Sequence, residues 1–380
     1  MLPLLLALLH TTNDLFGAFL APLLPRLMNK FGAGLGTVGL LVSVYSFTSS
    51  LSQPLAGLVA DRYDRRLLAA LGPVLVALGL GSMGYFSHIP SLALVLGVAG
   101  VGSALFHASA AALVGQYAPQ ERRGFWLSFF GSSGYLGLSL GPIVSLGVVA
   151  KGGGLEALAW LIPLALVPAF LLLRLAPPTH LQTQNRSTFT DLARVFRGQV
   201  ARLWAVSTLR SLVFMSFSTT IPYWYHTRGL SDARMALALS VYSFSATFGA
   251  FLGGTLSDRY GRRSVLVATM FLAIPLYILL LVVPPENYAY LVLLAFTGAL
   301  MNAGIPVAVV MAQEHEPKQI ATVSGLLMGF TWGFAGLLYG PVGYLIERFG
   351  VIQVLAVLGL LLIPALTITL SIREADRNTV

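Results

Sequence analysis

Apolar runs of about 20 residues follow one another along this 380-residue chain, with only short polar breaks between them. That pattern constrains the fold more than any other feature. A run of that length crosses a hydrocarbon core of about 30 Å as a helix, and in lipid the backbone polar groups of a lone segment find partners only along that helix. Breaks at Gly, Pro and charge predict spans near residues 3–28, 37–60, 67–88, 91–117, 124–149 and 155–175, then 203–226, 234–257, 264–284, 288–313, 320–346 and 350–372. Charged residues make up only 10% of the chain, against about 25% in soluble proteins. The expected fold is an all-α polytopic membrane protein of twelve transmembrane helices. The first run, Leu2 to Met28, lacks a basic leader and exceeds a signal peptide's apolar core, so it is expected to stay as a helix.

The net charge of +9 does not mark a nucleic-acid partner, because the basic residues lie between apolar runs rather than on one soluble face. One side of the expected topology carries Arg62, Arg65, Arg66, Arg122, Arg123, Arg174, Arg186, Arg194, Arg197, Arg202, Arg259, Arg262, Arg263, Lys318, Arg373 and Arg377. The other carries Arg26, Lys30, Lys151, Arg228, Arg234 and Arg348. The positive-inside rule therefore puts both termini in the cytoplasm of a cell whose inner membrane holds the chain. With no cysteine there is no disulfide framework and no thiolate metal site. Neither a His-Glu-x-x-His word nor a phosphate-cradling P-loop occurs, so no metal centre, no cofactor and no direct use of ATP is expected.

An internal repeat sets the organisation. Ser43-Val-Tyr-Ser-Phe47 recurs as Ser240-Val-Tyr-Ser-Phe244, and Asp61-Arg-Tyr-Asp-Arg-Arg66 recurs as Asp258-Arg-Tyr-Gly-Arg-Arg263, both displaced by 197 positions. Gly137-x-x-x-Gly141-Pro142 returns as Gly336-x-x-x-Gly340-Pro341 with a displacement of 199. The expected domains are a six-helix bundle over 1–176, a connecting segment over 177–202 and a second six-helix bundle over 203–380, the halves being parallel repeats. Within the connection, Thr188-x-x-Asp191 ahead of Leu192, Val195 and Phe196 fits either a capped amphipathic helix on the membrane surface or a plain tether.

Gly57-x-x-x-Asp61-Arg62-x-Asp64-Arg65-Arg66 and Gly254-x-x-x-Asp258-Arg259-x-Gly261-Arg262-Arg263 resemble the loop signature of the major facilitator superfamily. The first copy departs from it in having Asp64 where the family has Gly. An Asp at a helix end can accept from a neighbouring helix N-terminus while the arginines bind carbonyl ends, forming a latch that breaks when the halves rock. The other reading of these residues is a set of topology anchors. Within the superfamily, His10-x-x-Asn13-Asp14, Pro22-Leu-Leu-Pro25, Phe106-His107 and Met311-Ala-Gln313-Glu314 resemble the fosmidomycin-resistance-like drug efflux group. That resemblance implies exchange of protons for small molecules. Gly137-x-x-x-Gly141-Pro142 is similar to the family's antiporter signature, with Ser145 and Leu146 where further glycines would continue it.

Ionisable residues deep in lipid are costly and are functional candidates by default. His10 and Asp14 share a helix face, Asp14 falls near the bilayer midplane, and His107 lies mid-way along the fourth span. The family resemblance places spans one, four, seven and ten around the central cavity, which would gather Asp14 and His107 on one aqueous surface. These three are the candidate proton-coupling residues; the alternative for each is a structural polar group. Arg210, about two turns into the expected seventh span, is either an anion-selecting residue or a snorkelling one. Asn13, Tyr45, Tyr135, Tyr242, Asn302 and Trp332 complete the candidate substrate site, packing being the competing role.

The function expected is a secondary active transporter, a monomer exporting small molecules against an inward flow of protons by alternating access. A coupled importer keeps the same fold with the opposite direction. A membrane enzyme using His10, Asp14 and His107 as acid-base groups, and a non-transporting receptor, are the readings from other classes.

Overall fold

The computed structural model describes residues 1–60, 62–119, 123–178, 196–317, 323–324 and 326–374. Among them every regular element is helical. Among the described residues nine helices are each long and apolar enough to cross a membrane: Ile89–Tyr117, Phe129–Gly152, Leu155–Leu175, Gly198–Thr227, Asp232–Tyr260, Arg262–Val282, Ala289–His315, Leu326–Phe349 and Val351–Ser371. The other three spans are the first three of the chain. Span one is broken into Leu2–Gly17 and Leu24–Phe31. Pro22, which has no N–H to continue the ladder, sits in the turn between them. Span two is broken at Ser52 into Leu35–Leu51 and Gln53–Ala60. Span three, Arg65–Gly81, opens on two arginines and is only 17 residues long. The seventh span begins at Gly198 rather than at the expected 203, at a glycine with φ of +53° that turns the chain into the helix.

The twelve spans pack as two six-helix bundles. Span one lies chiefly against span five, three against four, and eight against ten. The bundles meet along spans two and eleven and along spans five and eight, which correspond to each other under the repeat. Small residues set the first of these contacts. The Gly340 amide donates to Ser43 Oγ at 2.9 Å, and a Cβ on Gly333 would stand 2.9 Å from the Ser50 Cβ. Close approach through Gly and Ser is how helices associate in lipid, where apolar surface alone gives no preference for a protein partner.

The repeated glycine words do not pack alike. Gly336 and Gly340 of span eleven face span two across the bundle interface. Their counterparts Gly137 and Gly141 face span one inside the first bundle, and a Cβ on Gly137 would stand 2.8 Å from the Leu15 amide nitrogen. On the side opposite the termini the bundles are joined by an ion pair between Arg26 and Asp232 and by Glu347, whose carboxylate accepts from the Leu35 and Gly36 amides at the start of span two.

Candidate functional site

The close seat of span five on span one creates the site. Gly134 has no side chain to hold the helices apart, and a Cβ there would stand 2.5 Å from Asp14 Oδ2. Thr11 Oγ1 donates to the Ser133 carbonyl at 2.9 Å, pinning the two helices at this level. Span four completes the group with Ser103 and His107 one helical turn apart.

These helices bring His10, Asp14 and His107 together. His10 Nε2 is 3.3 Å from Asp14 Oδ2, and His107 Nε2 is 3.5 Å from Asp14 Oδ1. The far nitrogen of each ring is held by a backbone carbonyl: His10 Nδ1 lies 2.7 Å from the Phe130 oxygen and His107 Nδ1 lies 2.8 Å from the Ser103 oxygen. A carbonyl only accepts, so each Nδ1 carries the hydrogen, and each neutral ring would turn an Nε2 lone pair toward a carboxylate that also only accepts. Two acceptors facing each other at these distances repel unless a proton lies between them. Asn13 Nδ2 donates to Asp14 Oδ1 at 2.9 Å and to Ser103 Oγ at 3.1 Å, fixing the carboxylate from the side. Phe130 stacks on the His10 ring at 4.3 Å. The His10 side chain is almost enclosed, whereas that of His107 is 29% exposed, so the group opens at one end.

Tyr45 lies beside this group: a Cβ on Gly17 would stand 2.8 Å from its hydroxyl. Tyr135 is half-buried on span five, within electrostatic reach of both Asp14 and Arg210. Arg210 is 2% exposed and sits three turns into its helix, deeper than expected because that helix starts earlier. Its Nε and Nη2 have no hydrogen-bond partner among the described residues, and neither do the hydroxyls of Ser207 and Ser211 one turn before and one residue after it.

The repeat explains where Arg210 sits. Shifting by 197 positions carries His10, Asn13, Asp14 and His107 onto Ser207, Arg210, Ser211 and Gly304. The second bundle thus has a guanidinium and hydroxyls where the first has imidazoles and a carboxylate, and the Arg210 guanidinium lies against Gly304, where a side chain would obstruct it. Applying the repeat offset to the ionisable residues was the sequence signal that could have shown this correspondence.

The remaining candidates are dispersed. Tyr242 is fully buried, stacked on Phe214 at 4.6 Å and against Phe217 at 5.4 Å. Asn302 is buried and donates to the Gly298 carbonyl of its own helix at 3.3 Å. Trp332 is half-buried, edge-on to Phe214 at 5.8 Å.

The two signature loops each stay within one bundle among the described residues. In the second copy, Arg262 contacts Asp258 at 2.6 Å, Ser257 at 2.7 Å and Glu314 at 3.2 Å, and Gly261 adopts φ of +90°. Arg259 lies over the Tyr260 ring. In the first copy Asp64 caps span three, accepting from the Arg66 amide at 2.9 Å with φ of −59°, so this turn needs no glycine. Arg66 Nη1 reaches the Leu173 and Ala176 carbonyls at the end of span six, and Arg65 Nε the Ala60 carbonyl. Arg62 is exposed, and the Gly57 position is open. Asp61, Arg122 and the Thr188 to Val195 word lie outside the described residues.

The family model of the Major Facilitator Superfamily matches residues 6–340. The chain belongs to that superfamily. It is 27% identical to the fosmidomycin resistance protein of Escherichia coli over 87% of this chain and 83% of that one. It is 26% identical to the uncharacterised transporter YfnC of Bacillus subtilis over 94% and 90%. The multi-drug resistance efflux pump PmrA of Streptococcus pneumoniae is 22% identical over 70% of each chain. Among solved structures, the nucleoside transporter NupG superposes with a TM-score of 0.79 at 16% identity, covering 98% of this chain and 100% of that one. A bacterial homologue of the human lysosomal transporter Spinster gives 0.76 at 17% identity, covering 97% and 95%. These likenesses establish the fold; membership of the superfamily makes this multi-pass membrane protein a transporter of small molecules and not an enzyme.

Proposed function

We propose that this transporter is a proton-coupled exporter, exchanging protons for small anionic or amphiphilic molecules. One observation carries the reading: a membrane-embedded carboxylate, Asp14, faced by two imidazole Nε2 atoms whose rings are both fixed through Nδ1. Such a group needs at least one proton to be at rest. It can exchange that proton through the exposed edge of His107, so it combines retention with access.

The substrate's charge is read from the other bundle. Arg210 is a buried cation with unspent donors and no ion pair among the described residues. A buried lone charge is costly, and an anionic group making forked hydrogen bonds to the guanidinium offsets that cost. Tyr135, within electrostatic reach of both Asp14 and Arg210, makes the charged groups of the two bundles parts of one site. Tyr45 and Trp332 flank the path, while Tyr242 and Asn302 act through packing. The resistance name of one similar protein and the efflux name of another support the outward direction.

In this reading both termini face the cytoplasm of a bacterial inner membrane and the working unit is a monomer. Residues 1–176 and 198–380 rock about the midplane site, with 177–197 as their connection and the Asp61 and Asp258 loops bracing each half. The test is proton movement in proteoliposomes on adding phosphonates, organic anions and lipophilic drugs. Substrate-evoked flux in the wild type that disappears in Asp14→Asn supports the reading, and its sign separates antiport from symport. Substrate transport without proton flux in the wild type overturns it.

A further inference from the structure

We propose that His10, Asp14 and His107 also form a binding site for a divalent transition-metal cation of the Zn²⁺ class, which occupies the space of the proton. The three ligand atoms, two Nε2 and one carboxylate oxygen, all lie within 4.8 Å of one another. Tetrahedral ligands about 2.0–2.1 Å from zinc stand roughly 3.3 Å apart. His10 Nε2 stands 3.3 Å from Asp14 Oδ2 and His107 Nε2 3.5 Å from Asp14 Oδ1, each close to that spacing, so seating a cation among them asks for a small turn of the carboxylate rather than movement of the helices.

The surroundings resemble those of a ligand set rather than of a simple hydrogen-bonded cluster. A metal-bound histidine characteristically donates its other ring N–H to a carbonyl or carboxylate, which fixes the tautomer and aims the lone pair. Both rings do this, to Phe130 and to Ser103, leaving both Nε2 lone pairs directed at the same carboxylate. Asn13 holds that carboxylate as an outer partner. Two imidazoles and one carboxylate suit zinc, nickel, copper or cobalt; magnesium and calcium prefer all-oxygen shells. Three protein ligands would leave a fourth position for a water molecule.

Binding itself requires neither a gradient nor a substrate. Its consequence does rest on the proton reading: a seated cation excludes the shared proton and stops coupled transport.

The experiment titrates the purified, untagged chain in detergent with ZnCl₂ by calorimetry, and with CoCl₂ by visible absorption. The expected result is one ion per chain, a cobalt spectrum of tetrahedral intensity, and binding at least about tenfold weaker in both His10→Gln and His107→Gln. His107→Gln is the stricter variant, because apart from its contact with Asp14 that ring hydrogen-bonds within its own helix, and its loss leaves the contact between spans one and five intact. Thermal unfolding confirms that each variant is folded. Absence of saturable binding overturns the proposal, as does binding left unchanged in both variants, which would assign the ion to outlying histidines such as His88 or His226. Zinc binding that leaves proton-coupled transport running refutes the blocking consequence; zinc binding by a protein that moves no protons leaves the site standing and removes the proton reading.

Discussion

The Asp14 carboxylate and the His107 Nε2 atom face each other at 3.5 Å from different helices, each held by a neighbour: Asn13 for the carboxylate, the Ser103 carbonyl for the ring. A pair fixed in this way changes its charge rather than its shape when a proton arrives. Asp14→Asn keeps the volume and the hydrogen bonds to Asn13 but removes the titrating oxygen. It is expected to abolish substrate-evoked proton flux while lowering stability by no more than about 0.5–1.5 kcal/mol, the worth of one hydrogen bond. Flux in proteoliposomes and thermal unfolding in detergent read the two quantities separately; a variant that unfolds instead would make Asp14 a structural residue.

Arg210 predicts an opposition between stability and binding. Its guanidinium is buried with Nε and Nη2 unpartnered among the described residues, and replacing a buried, poorly compensated charge by an apolar side chain of similar size is often stabilising by about 1–4 kcal/mol. Arg210→Met is therefore expected to raise the unfolding temperature and to lose affinity for an anionic substrate. Arg210→Lys keeps the charge without the planar fork and should weaken binding less than Met does. Equal affinity in all three proteins would remove the residue from the site.

Glycines in the fifth span divide into two sets with different expected outcomes. Gly134, Gly137 and Gly141 lie against span one, and a Cβ on Gly141 would stand 2.8 Å from the Leu15 carbonyl oxygen. Gly131 and Gly147 have open space where a Cβ would go. Gly137→Ala should cost about 1–3 kcal/mol as an overpacked contact and displace His10 and Asp14 from His107, reducing transport. Gly147→Ala should be neutral or slightly stabilising, since alanine is the better helix former. Unfolding midpoints of the two alanine variants make the comparison; similar values would contradict the packing.

Much of this arrangement was legible in the sequence, because two of its determinants are local. Apolar run length fixes the spans, and the separation of His10 from Asp14 fixes their common face. His107 was singled out because an imidazole inside an apolar run is rare. What the sequence concealed depends on which helices touch. Nothing local says that Gly134 faces Asp14, that Ser103 supplies both a carbonyl and a hydroxyl to the site, or that Tyr242, the repeat partner of Tyr45, is enclosed by Phe214 and Phe217. Asp64 is the reverse case. It departs from the loop signature, and it supplies the cap that a glycine lacks. The kink in span one was also readable in principle, since Pro22 and Pro25 stand close together inside an apolar run, but periodicity passes over a break of six residues.

The contacts on the side opposite the termini predict how the bundles open. Arg26 pairs with Asp232 across the interface, both side chains being more than a third exposed, so the pair contributes at most about 1 kcal/mol. Glu347 caps the first turn of span two from span eleven, an interaction of about 0.5–2 kcal/mol, removed with the carboxylate charge or its geometry. Bonds of this size bias a two-state equilibrium without locking it, since each 1.4 kcal/mol changes a population ratio tenfold. Glu347→Gln together with Arg26→Ala should therefore move the population toward the state open on this face by roughly tenfold, readable as faster labelling of a cysteine introduced at Gly39, which packs under Tyr339 at the bundle interface. Conversely, cysteines replacing Arg26 and Asp232 and joined by a short bis-methanethiosulfonate reagent should stop transport, with activity restored by reduction. Transport that continues through the crosslink would mean that the bundles do not separate here, and that the rocking axis lies elsewhere.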